Sequence, residues 1–231
     1  MIKSLSTEAL SNYLSSQLNN FFPDGNVVDI SGDKDILVEA LKRLEFCFKH
    51  VTLKHYFNGS EVIFNHLFSD HYVMFLWFLS STVYNHKGKC DLANKIYYLN
   101  KTLNGLDCMY DTKMPKIFLL FHSSGTMLGK ASYSDYFIAL QGCTVGSHKG
   151  EYPTFGKGVS LTSNSSVIGK CLIGNRCTIS ARTTIFQRDI TDDNTAFINF
   201  ETGQLQIKES PKCYAQQFFN INLKNDRLLN F

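Results

Sequence analysis

The chain has 231 residues, of which 44% are hydrophobic and 19% are charged, and this balance excludes a wholly disordered protein. Its 23 Lys and Arg against 20 Asp and Glu give a net charge of +3, so bulk electrostatics do not support a nucleic-acid partner. The seven cysteines are an odd number without a Cys-x-x-Cys pair, which favours reduced thiols and a cytoplasmic location over a disulfide framework.

Neither a targeting segment nor a membrane span is predicted. Residues 1–20 are polar with helical spacing and lack the apolar core of a secretion signal. The most apolar stretch, residues 72–83, is too short to span a bilayer. We therefore expect a soluble, intracellular protein without membrane insertion.

The first 105 residues have the spacing of apolar side chains that is typical of helices. A first helix is predicted from Thr7 to the Phe-Pro-Asp-Gly sequence at 22–25, and a second after the start signal at 31–33. A third apolar segment covers 62–84, and a fourth helix is predicted over 91–104. This half contains no motif with catalytic spacing, so we interpret its many aromatic residues as packing residues.

After Gly105 the apolar period changes to six residues. Neither a helix nor a single strand sustains such a period, whereas a parallel β-helix does, because each triangular coil has three short strands of about six residues. The large apolar residues that would point inwards are Phe155, Leu161, Val167, Ile173, Ile179 and Ile185. Small or β-branched residues follow four positions after the first five of them: Val159, Ser165, Cys171, Cys177 and Thr183.

The register of six extends upstream to Leu128 and Leu140 and slips before Phe155. The polar, glycine-rich segment 146–153 lies in this slip. Because insertions into a regular scaffold protrude as loops, and such loops commonly carry function, we predict a functional loop here.

The fold class expected is α+β. A helical domain at 1–105 is followed by a parallel β-helix at 106–190 and a C-terminal strand extension at 191–231, with a hairpin around residues 202–203. A solenoid leaves flat apolar faces and open ends, so self-association, usually three-fold, is expected.

His122 is the strongest candidate for a catalytic residue. It lies just before the first clear repeat, and an imidazole can take a proton from an attacking hydroxyl when a second group fixes its tautomer. Asp107 lies upstream by close to one β-helical turn of about 18 residues, so stacking of the turns could bring its carboxylate beside the imidazole. The histidines of the helical half do not share a helix face, and no metal site is predicted.

The region 106–185 resembles the hexapeptide-repeat acyltransferases, and among them most closely the serine O-acetyltransferase branch. In that branch the aspartate of an Asp-Ile-His-Pro motif precedes the histidine of Asp-His-Ala-Thr-Gly, the catalytic base. This chain has DCMY at 107–110 and FHSSG at 121–125, with the spacing from aspartate to histidine preserved. The branch's Leu-Gln-Ser-Val-Thr-Leu-Gly-Gly is similar to LQGCTVGS at 140–147. The resemblance implies a helical N-terminal half followed by a left-handed parallel β-helix.

The same resemblance implies transfer of an acetyl group from acetyl-CoA to an acceptor hydroxyl, without a metal. His122 would be the general base and Asp107 would orient it, while a backbone N–H near Gly146 or a group of the insertion loop would stabilise the oxyanion. Family members form trimers, some of which pair through the helical half, and the pantetheine arm lies between neighbouring subunits. The corresponding cofactor-binding positions here are Gly146, Thr162, Ser163, Ser180, Ala181 and Arg182.

The acceptor site departs from the branch at two charged positions. The aspartate before the base is Phe121 here, and the loop arginine is Glu151. Free serine is a zwitterion that needs compensating charges when it is desolvated, so these changes disfavour serine. Aromatic residues favour a sugar ring instead, and the expected acceptor is a sugar or nucleotide-sugar of surface polysaccharide synthesis. The residues expected to contact it are Phe121, His148, Glu151 and Tyr152.

Three alternatives remain open. One is a serine O-acetyltransferase of cysteine synthesis, which the overall resemblance supports. Another is a non-catalytic trimeric scaffold, against which the pair of Asp107 and His122 argues. A third is a metal-dependent carbonic anhydrase on the same fold, which needs three convergent histidines, whereas the repeat half has only His122 and His148.

Overall fold

A computed structural model describes residues 1–229; Asn230 and Phe231, at the end of the predicted C-terminal extension, lie outside the described residues. A helical half comes first and a left-handed parallel β-helix follows it, as the sequence predicts. The helices of the described chain are α1 (Thr7–Phe21), α2 (Lys34–Phe48), α3 (Ser69–Lys87) and α4 (Asp91–Asn104), with short 3₁₀ helices at Ile30–Asp33 and Tyr214–Phe218.

The helix ends follow the local sequence. Ser6 caps α1, since its hydroxyl accepts the N–H of Ala9 at 3.1 Å. Gly105 ends α4 with a φ of 65°, a left-handed conformation that glycine adopts without steric cost. The predicted start of the first helix and the predicted end of the fourth are confirmed.

The third predicted segment is wrong at its beginning. Residues Ile63–Phe64 form a strand, β2, which pairs in parallel with β1 (Ile2–Lys3), and α3 begins only at Ser69. The N–H of Ile2 donates to the carbonyl of Val62 at 2.8 Å. Pairing between segments this far apart in the chain leaves no local period from which it could be predicted.

Helix α3 lies at the centre of the helical half. Every residue from Asp70 to Val83 is buried, because α2, α4 and the solenoid pack around the helix. Within residues 1–229, no helix combines the length and the apolar character that crossing a membrane requires.

The β-helix has three faces of stacked parallel strands. Its strands are β3 (Leu106–Asp107), β4 (Phe118–Leu120), β5 (Thr126–Leu128), β6 (Phe137–Ala139), β7 (Thr144–Gly146), β8 (Thr154–Phe155), β9 (Ser160–Leu161), β10 (Ser166–Ile168), β11 (Leu172–Ile173), β12 (Thr178–Ile179) and β13 (Thr184–Phe186). Face 1 stacks β3, β5, β7, β10 and β13; face 2 stacks β4, β6, β9 and β12; face 3 contains β8 and β11. The chain therefore runs from face 2 to face 1 to face 3 in each complete coil.

The six-residue period is confirmed from Phe155 onwards. All six predicted inward residues are at most 1% exposed, and the five small residues between them are at most 2% exposed. Leu161 lies beside Ile179 on the next coil, as three repeats of the period require. Because each coil buries one apolar side chain per face, the hydrophobic effect stabilises the stack along its whole axis.

Upstream of this region the count of six predicts Leu140 as the inward residue. The inward residue in the structure is Ala139. Ala139 pairs with Leu161 and not with Lys157, the position that a regular coil would place beside it. The coil between them is thus longer than a regular coil by four positions. A count in sixes cannot place such an insertion to the residue, and this is why the predicted register is off by one.

The extra positions form the predicted protruding loop. His148 and Glu151 exchange backbone hydrogen bonds of 3.1 and 3.0 Å. Lys149 and Gly150, at the tip, have φ values of 49° and 80°, the left-handed conformation that a tight two-residue hairpin turn requires.

Aromatic side chains join the helical half to the first coil. The ring of Phe118, on β4, lies 5.2 Å from that of Trp77 and 5.4 Å from that of Phe78, both on α3. Phe118 is fully buried, and the thiol of Cys47 donates to its carbonyl at 3.1 Å. The apolar core is therefore continuous from the helices into the solenoid.

After the last coil the chain makes the predicted hairpin. Strand β14 (Asn194–Ile198) continues face 2 by pairing with β12, and β15 (Leu205–Glu209) pairs with β14 in antiparallel orientation. The strands β16 (Ile221–Asn222) and β17 (Arg227–Leu228) form a second, shorter antiparallel pair.

Between these two hairpins the chain folds back onto the helical half. Phe219 forms an antiparallel bridge with Val51, and the N–H of Thr52 donates to the carbonyl of Phe218 at 2.9 Å. The ring of Phe218 lies 4.9 Å from that of Phe121. The C-terminal segment thus packs at the junction of the two halves, against the residue that precedes His122.

Candidate active site

His122 lies in the turn of residues 122–125, between β4 on face 2 and β5 on face 1. Its φ is 49°, in the left-handed region that few non-glycine residues adopt, and its side chain is 76% exposed. The residues on either side are buried, and the hydroxyl of Ser123 donates to the carbonyl of Asn104 at 3.1 Å. A fixed turn therefore presents the imidazole at the surface.

The carboxylate beside His122 belongs to Asp70, in the first turn of α3. Its Oδ1 accepts the backbone N–H of His122 at 2.9 Å, and its Oδ2 lies 3.6 Å from Nδ1 of the ring. Asp70 is only 4% exposed. Acidic residues are common in the first turn of a helix, because the N-terminal end of a helix attracts negative charge.

The predicted contact between Asp107 and His122 is corrected by the register of the first coil. Leu106 pairs with Thr126, two positions beyond the Ser124 that a regular coil would place there, so the stacking partner of Asp107 is Met127. Because the first coil is longer than a regular one, His122 lies in the turn before β5, the strand that stacks on Asp107.

Asp107 instead joins α4 to the solenoid. Its carboxylate accepts hydrogen bonds from the hydroxyl of Tyr97 at 2.6 Å and from Nζ of Lys101 at 2.8 Å. Burial acts to raise the pKa of Asp107, but the hydrogen bonds from Lys101 and Tyr97 together outweigh it and leave the pKa below its ordinary value.

Most of the predicted cofactor positions lie on the same edge of the solenoid as His122. This edge, where face 2 meets face 1, consists of the turns 122–125, 140–142, 162–164 and 180–182, and we call it the base edge. Backbone hydrogen bonds join each turn to the next along the edge. Neighbouring coils are about 4.8 Å apart, so the last of these turns lies about 14 Å from that of His122. The predicted positions on the base edge are Thr162, Ser163, Ser180, Ala181 and Arg182.

Gly146 and the loop residues lie on the other edge of face 1, where it meets face 3. We call this the loop edge; it consists of residues 146–153. The extended chain from Gly142 to His148 spans about 20 Å, which is the separation of the two edges. Within one chain, therefore, an N–H near Gly146 does not reach a hydroxyl that His122 activates, and its predicted role would require a second copy of the chain.

The predicted acceptor residues of the loop edge are near the surface. Tyr152 is 45% exposed, and the carboxylate of Glu151 lies 3.4 Å from Nζ of Lys170. The ring of His148 packs edge-on against that of Phe186, with centroids 4.9 Å apart. The charge of Glu151 is thus partly compensated by a neighbouring lysine.

Phe121 is a core residue, and its predicted contact with an acceptor is corrected. It is 8% exposed, with its ring 4.9 Å from that of Phe218 and 6.3 Å from that of Tyr56. Its N–H donates to the carbonyl of Ala139 at 3.0 Å. A side chain held in this way fixes the backbone that leads into His122 and offers little surface to a ligand.

The cysteines give no sign of nucleophilic chemistry. All seven are free thiols, and burial raises the pKa values of Cys47 and Cys108 to about 12, so neither is a thiolate near neutral pH. In the part of the chain that the structure describes, no three His, Cys, Asp or Glu side chains are grouped as metal ligands.

Two residues at this site, Asp70 and Phe218, are not predicted from the sequence. Asp70 is 52 positions before His122, and an acidic residue in the first turn of a helix is ordinarily read as a helix-start signal. Phe218 follows a segment whose path the sequence does not define. No repeat links either residue to His122, so only the assembled structure identifies them.

The arrangement is suited to proton transfer. An exposed imidazole, with a buried carboxylate on its Nδ1 side, can accept a proton through Nε2 and have the resulting positive charge stabilised. The turns of the base edge offer backbone groups and hydroxyls along a line that begins at this imidazole. These are the elements needed to activate a hydroxyl beside an extended ligand.

The solved structures most informative for this chain are serine acetyltransferases. The enzyme from Brucella abortus strain S19 superposes with a TM-score of 0.68 at 16% identity, covering 90% of this chain and 85% of that one. The Neisseria gonorrhoeae enzyme in complex with serine gives 0.61 at 19%, covering 84% and 82%. A serine acetyltransferase in complex with CoA gives 0.64 at 17%, covering 87% and 84%. At these identities the likeness is one of fold.

A scan of the sequence against profiles of protein families finds no match, and a search of curated proteins finds none either. The fold, which unites a helical half with a β-helix over nearly the whole length, is thus the feature that the chain shares with these enzymes.

Proposed function

We propose that this protein is an acetyl-CoA-dependent O-acetyltransferase whose acceptor is serine or a similar small hydroxy amino acid. The observation that carries the proposal is His122, exposed at the head of the base edge and backed by the carboxylate of Asp70, on the fold of serine acetyltransferases. Reduced thiols are compatible with action in the cytoplasm.

In the proposed reaction, His122 removes the proton of the acceptor hydroxyl while that oxygen attacks the thioester carbonyl of acetyl-CoA. A C–O bond forms, and the tetrahedral intermediate then expels the sulfur as the C–S bond breaks. The proton held by His122 passes to the departing sulfur, so the products are an O-acetyl ester and CoA with a free thiol. No acyl-enzyme is needed, because base, hydroxyl and thioester act in one ternary complex.

The turns of the base edge are proposed to hold CoA. Ser163 and Ala181 lie in successive turns above that of His122, and Arg182 is an exposed cation at the end farthest from the reacting groups. Such an order would place the thioester at His122 and the phosphates near Arg182, where a guanidinium pairs well with phosphate oxygens.

Two features weigh against a sugar acceptor. Phe121, the ring expected to face a sugar, is 8% exposed and packs against Phe218. The charge of Glu151, which disfavours the carboxylate of an amino acid, is partly compensated by Lys170. The preference for a sugar therefore loses part of its support, and the structural neighbour with bound serine favours the amino acid.

We further propose that the working site forms between two copies of the chain in a trimer. The base edge and the loop edge are about 20 Å apart in one chain. Side-by-side packing of three prisms would bring the base edge of one copy against the loop edge of the next. Co-assembly of His122→Ala with a variant that lacks residues 147–150 should then restore activity that neither variant has alone. Inactive mixed trimers would contradict a shared site.

Release of CoA thiol from acetyl-CoA tests the activity directly. The acceptor panel contains L-serine, nucleotide-activated sugars and amino sugars, and the proteins are wild type, His122→Ala and His86→Ala. We expect turnover with L-serine that His122→Ala lowers by about 10²–10⁴-fold. The variant His86→Ala, at an exposed histidine on the other end of α3, should match the wild type.

Two outcomes would overturn the proposal. Turnover with a sugar and none with serine would refute the acceptor. Failure of every acceptor, together with no increase in thermal stability on addition of acetyl-CoA, would refute the enzyme and favour the trimeric scaffold.

A further inference from the structure

Asp70 makes two contacts with one residue, and together they define how the imidazole of His122 is held. The carboxylate reaches the backbone N–H of His122 through Oδ1 at 2.9 Å and faces Nδ1 through Oδ2 at 3.6 Å. The backbone hydrogen bond fixes the position of the carboxylate relative to the turn. Oδ2 is then left directed towards the ring, as the acceptor for a proton on Nδ1.

The surroundings leave the Asp70 carboxylate able to accept a second hydrogen bond. Asp70 is 4% exposed and lies in the first turn of α3, where the helix dipole stabilises negative charge. Among residues 1–229, the hydrogen bond from His122 is the one that the Asp70 side chain accepts. The carboxylate thus has capacity left for the imidazole, and water has little access to compete for it.

We propose that Asp70 is the positioning residue for the catalytic base, holding His122 in the tautomer that carries its proton on Nδ1 and leaves Nε2 free to accept one. This inference deepens the proposed function and rests on it for its consequence in catalysis. The helical half thus has the orienting role that the sequence predicts for Asp107. Asp107 instead accepts hydrogen bonds from Tyr97 and Lys101.

The chemistry of the step explains why the tautomer matters. Proton transfer from the acceptor hydroxyl to Nε2 requires a free lone pair there and creates an imidazolium with N–H groups on both nitrogens. Asp70 would stabilise that cation through the Nδ1–H while Nε2–H later returns the proton to the sulfur of CoA. Distances between catalytic partners often shorten when substrate binds, and closing the 3.6 Å between Oδ2 and Nδ1 would complete this hydrogen bond.

The substitution Asp70→Asn inverts the arrangement without removing the side chain. The amide oxygen can keep the hydrogen bond from the backbone N–H of His122, and the NH₂ group then occupies the place of Oδ2. An NH₂ group donates to Nδ1, which forces the proton onto Nε2 and blocks its function as a base. An isosteric change of this kind is known to impair a catalytic histidine far more than a loss of packing would.

The tautomer can be measured without any assumption about activity. Long-range ¹H–¹⁵N correlation spectra of the full-length protein distinguish Nδ1–H from Nε2–H in neutral imidazole rings, and the signals of His122 are assigned by their absence from His122→Ala. We expect the Nδ1–H form to dominate in the wild type and the Nε2–H form in Asp70→Asn. The control Asp91→Asn, the same change in the first turn of α4, should leave the signals of His122 unaltered.

Kinetics complete the test. With the acceptor that the thiol-release assay identifies, Asp70→Asn should lower kcat by about 10²-fold and alter KM by less than about threefold. Thermal unfolding of both aspartate variants shows whether they are folded. If Asp70→Asn is folded and keeps the wild-type tautomer and kcat, the proposal is overturned. If no acceptor is turned over by the wild type, the proposed function fails while the spectra still decide whether Asp70 sets the tautomer.

Discussion

In the solenoid, the spatial neighbour of a residue follows from its position in the chain: Leu161 lies beside Ile179 because one regular coil separates them. In the helical half no such rule holds, and Asp70 reaches His122 across 52 positions. The repeat forms an extended scaffold with nearly identical turns. The contact from Asp70, outside the repeat, distinguishes the turn of His122 from the others. Regularity thus provides the scaffold, whereas the irregular half provides the chemical distinction.

The largest expected effect concerns the junction of the two halves. Phe118→Ala removes a fully buried ring that packs against Trp77 and Phe78, and should cost about 3–5 kcal/mol of unfolding free energy. Urea unfolding followed by fluorescence of Trp77, the single tryptophan, and by circular dichroism measures the loss. The control Phe200→Ala, at a ring that is 88% exposed, should change little. A loss below about 1 kcal/mol for Phe118→Ala would contradict a continuous core.

Two glycines, one in each half, should respond differently to substitution by alanine. A Cβ on Gly156 would lie 2.7 Å from the backbone nitrogen of Asn175 on the next coil, whereas a Cβ on Gly32 would meet no atom within 4 Å. Gly156→Ala should therefore cost about 1–3 kcal/mol, because the backbone of the adjacent coil must shift. Gly32→Ala should be neutral or slightly stabilising. If both substitutions shifted the midpoint of urea unfolding equally, coil stacking would not be the reason for glycine at position 156.

The helical half should respond to mild acid through His71. Burial, and then the neighbouring ring of His55, lower the pKa of His71 to about 3. Since this lies below the unfolded value of about 6.5, the stabilising contribution is complete above pH 6.5 and is lost as the pH falls towards 3. Between pH 7 and 5.5 the loss should be about 1 kcal/mol. The free energy of unfolding is measured by urea titration at each pH, and His71→Asn should lack this loss between pH 7 and 5.5. The same pH dependence in the variant as in the wild type would contradict the role of His71.

The smallest expected effect is that of Asp107→Asn. The ion pair with Lys101 is partly exposed and therefore screened, so its loss should cost about 0.5 kcal/mol. The effect on kcat should be at least about tenfold smaller than that of Asp70→Asn. If Asp107→Asn lowered kcat as much as Asp70→Asn or more, Asp107 would orient His122, as the sequence predicts.

Prediction from the sequence succeeds where local periodicity determines structure. The six-residue period identifies the inward residues from Phe155 to Ile185, and the glycine at 105 marks the end of the last helix. His122 is identified as a candidate by its position before the repeats. Prediction fails where coils differ in length: the first coil is two positions longer than a regular one, so Asp107 meets Met127.

The failures at the site have the same physical origin. Asp70 and Phe218 approach His122 from segments outside the repeat, and their contacts depend on how separate elements pack. Phe121 is misassigned to the acceptor because burial between Tyr56 and Phe218 is a tertiary property that a sequence motif does not encode. That Asp70, and not Asp107, lies beside His122 is visible only in the folded chain.

A double-mutant cycle shows whether the helical half acts on the chemistry through His122. The kcat of wild type, Asp70→Asn, His122→Ala and the double variant is measured with the same acceptor in the thiol-release assay. If Asp70 acts through the imidazole, Asp70→Asn has no further effect once His122 is absent, and the double variant matches His122→Ala. If the two losses multiply in the double variant, Asp70 acts independently of His122 and is not its positioning residue.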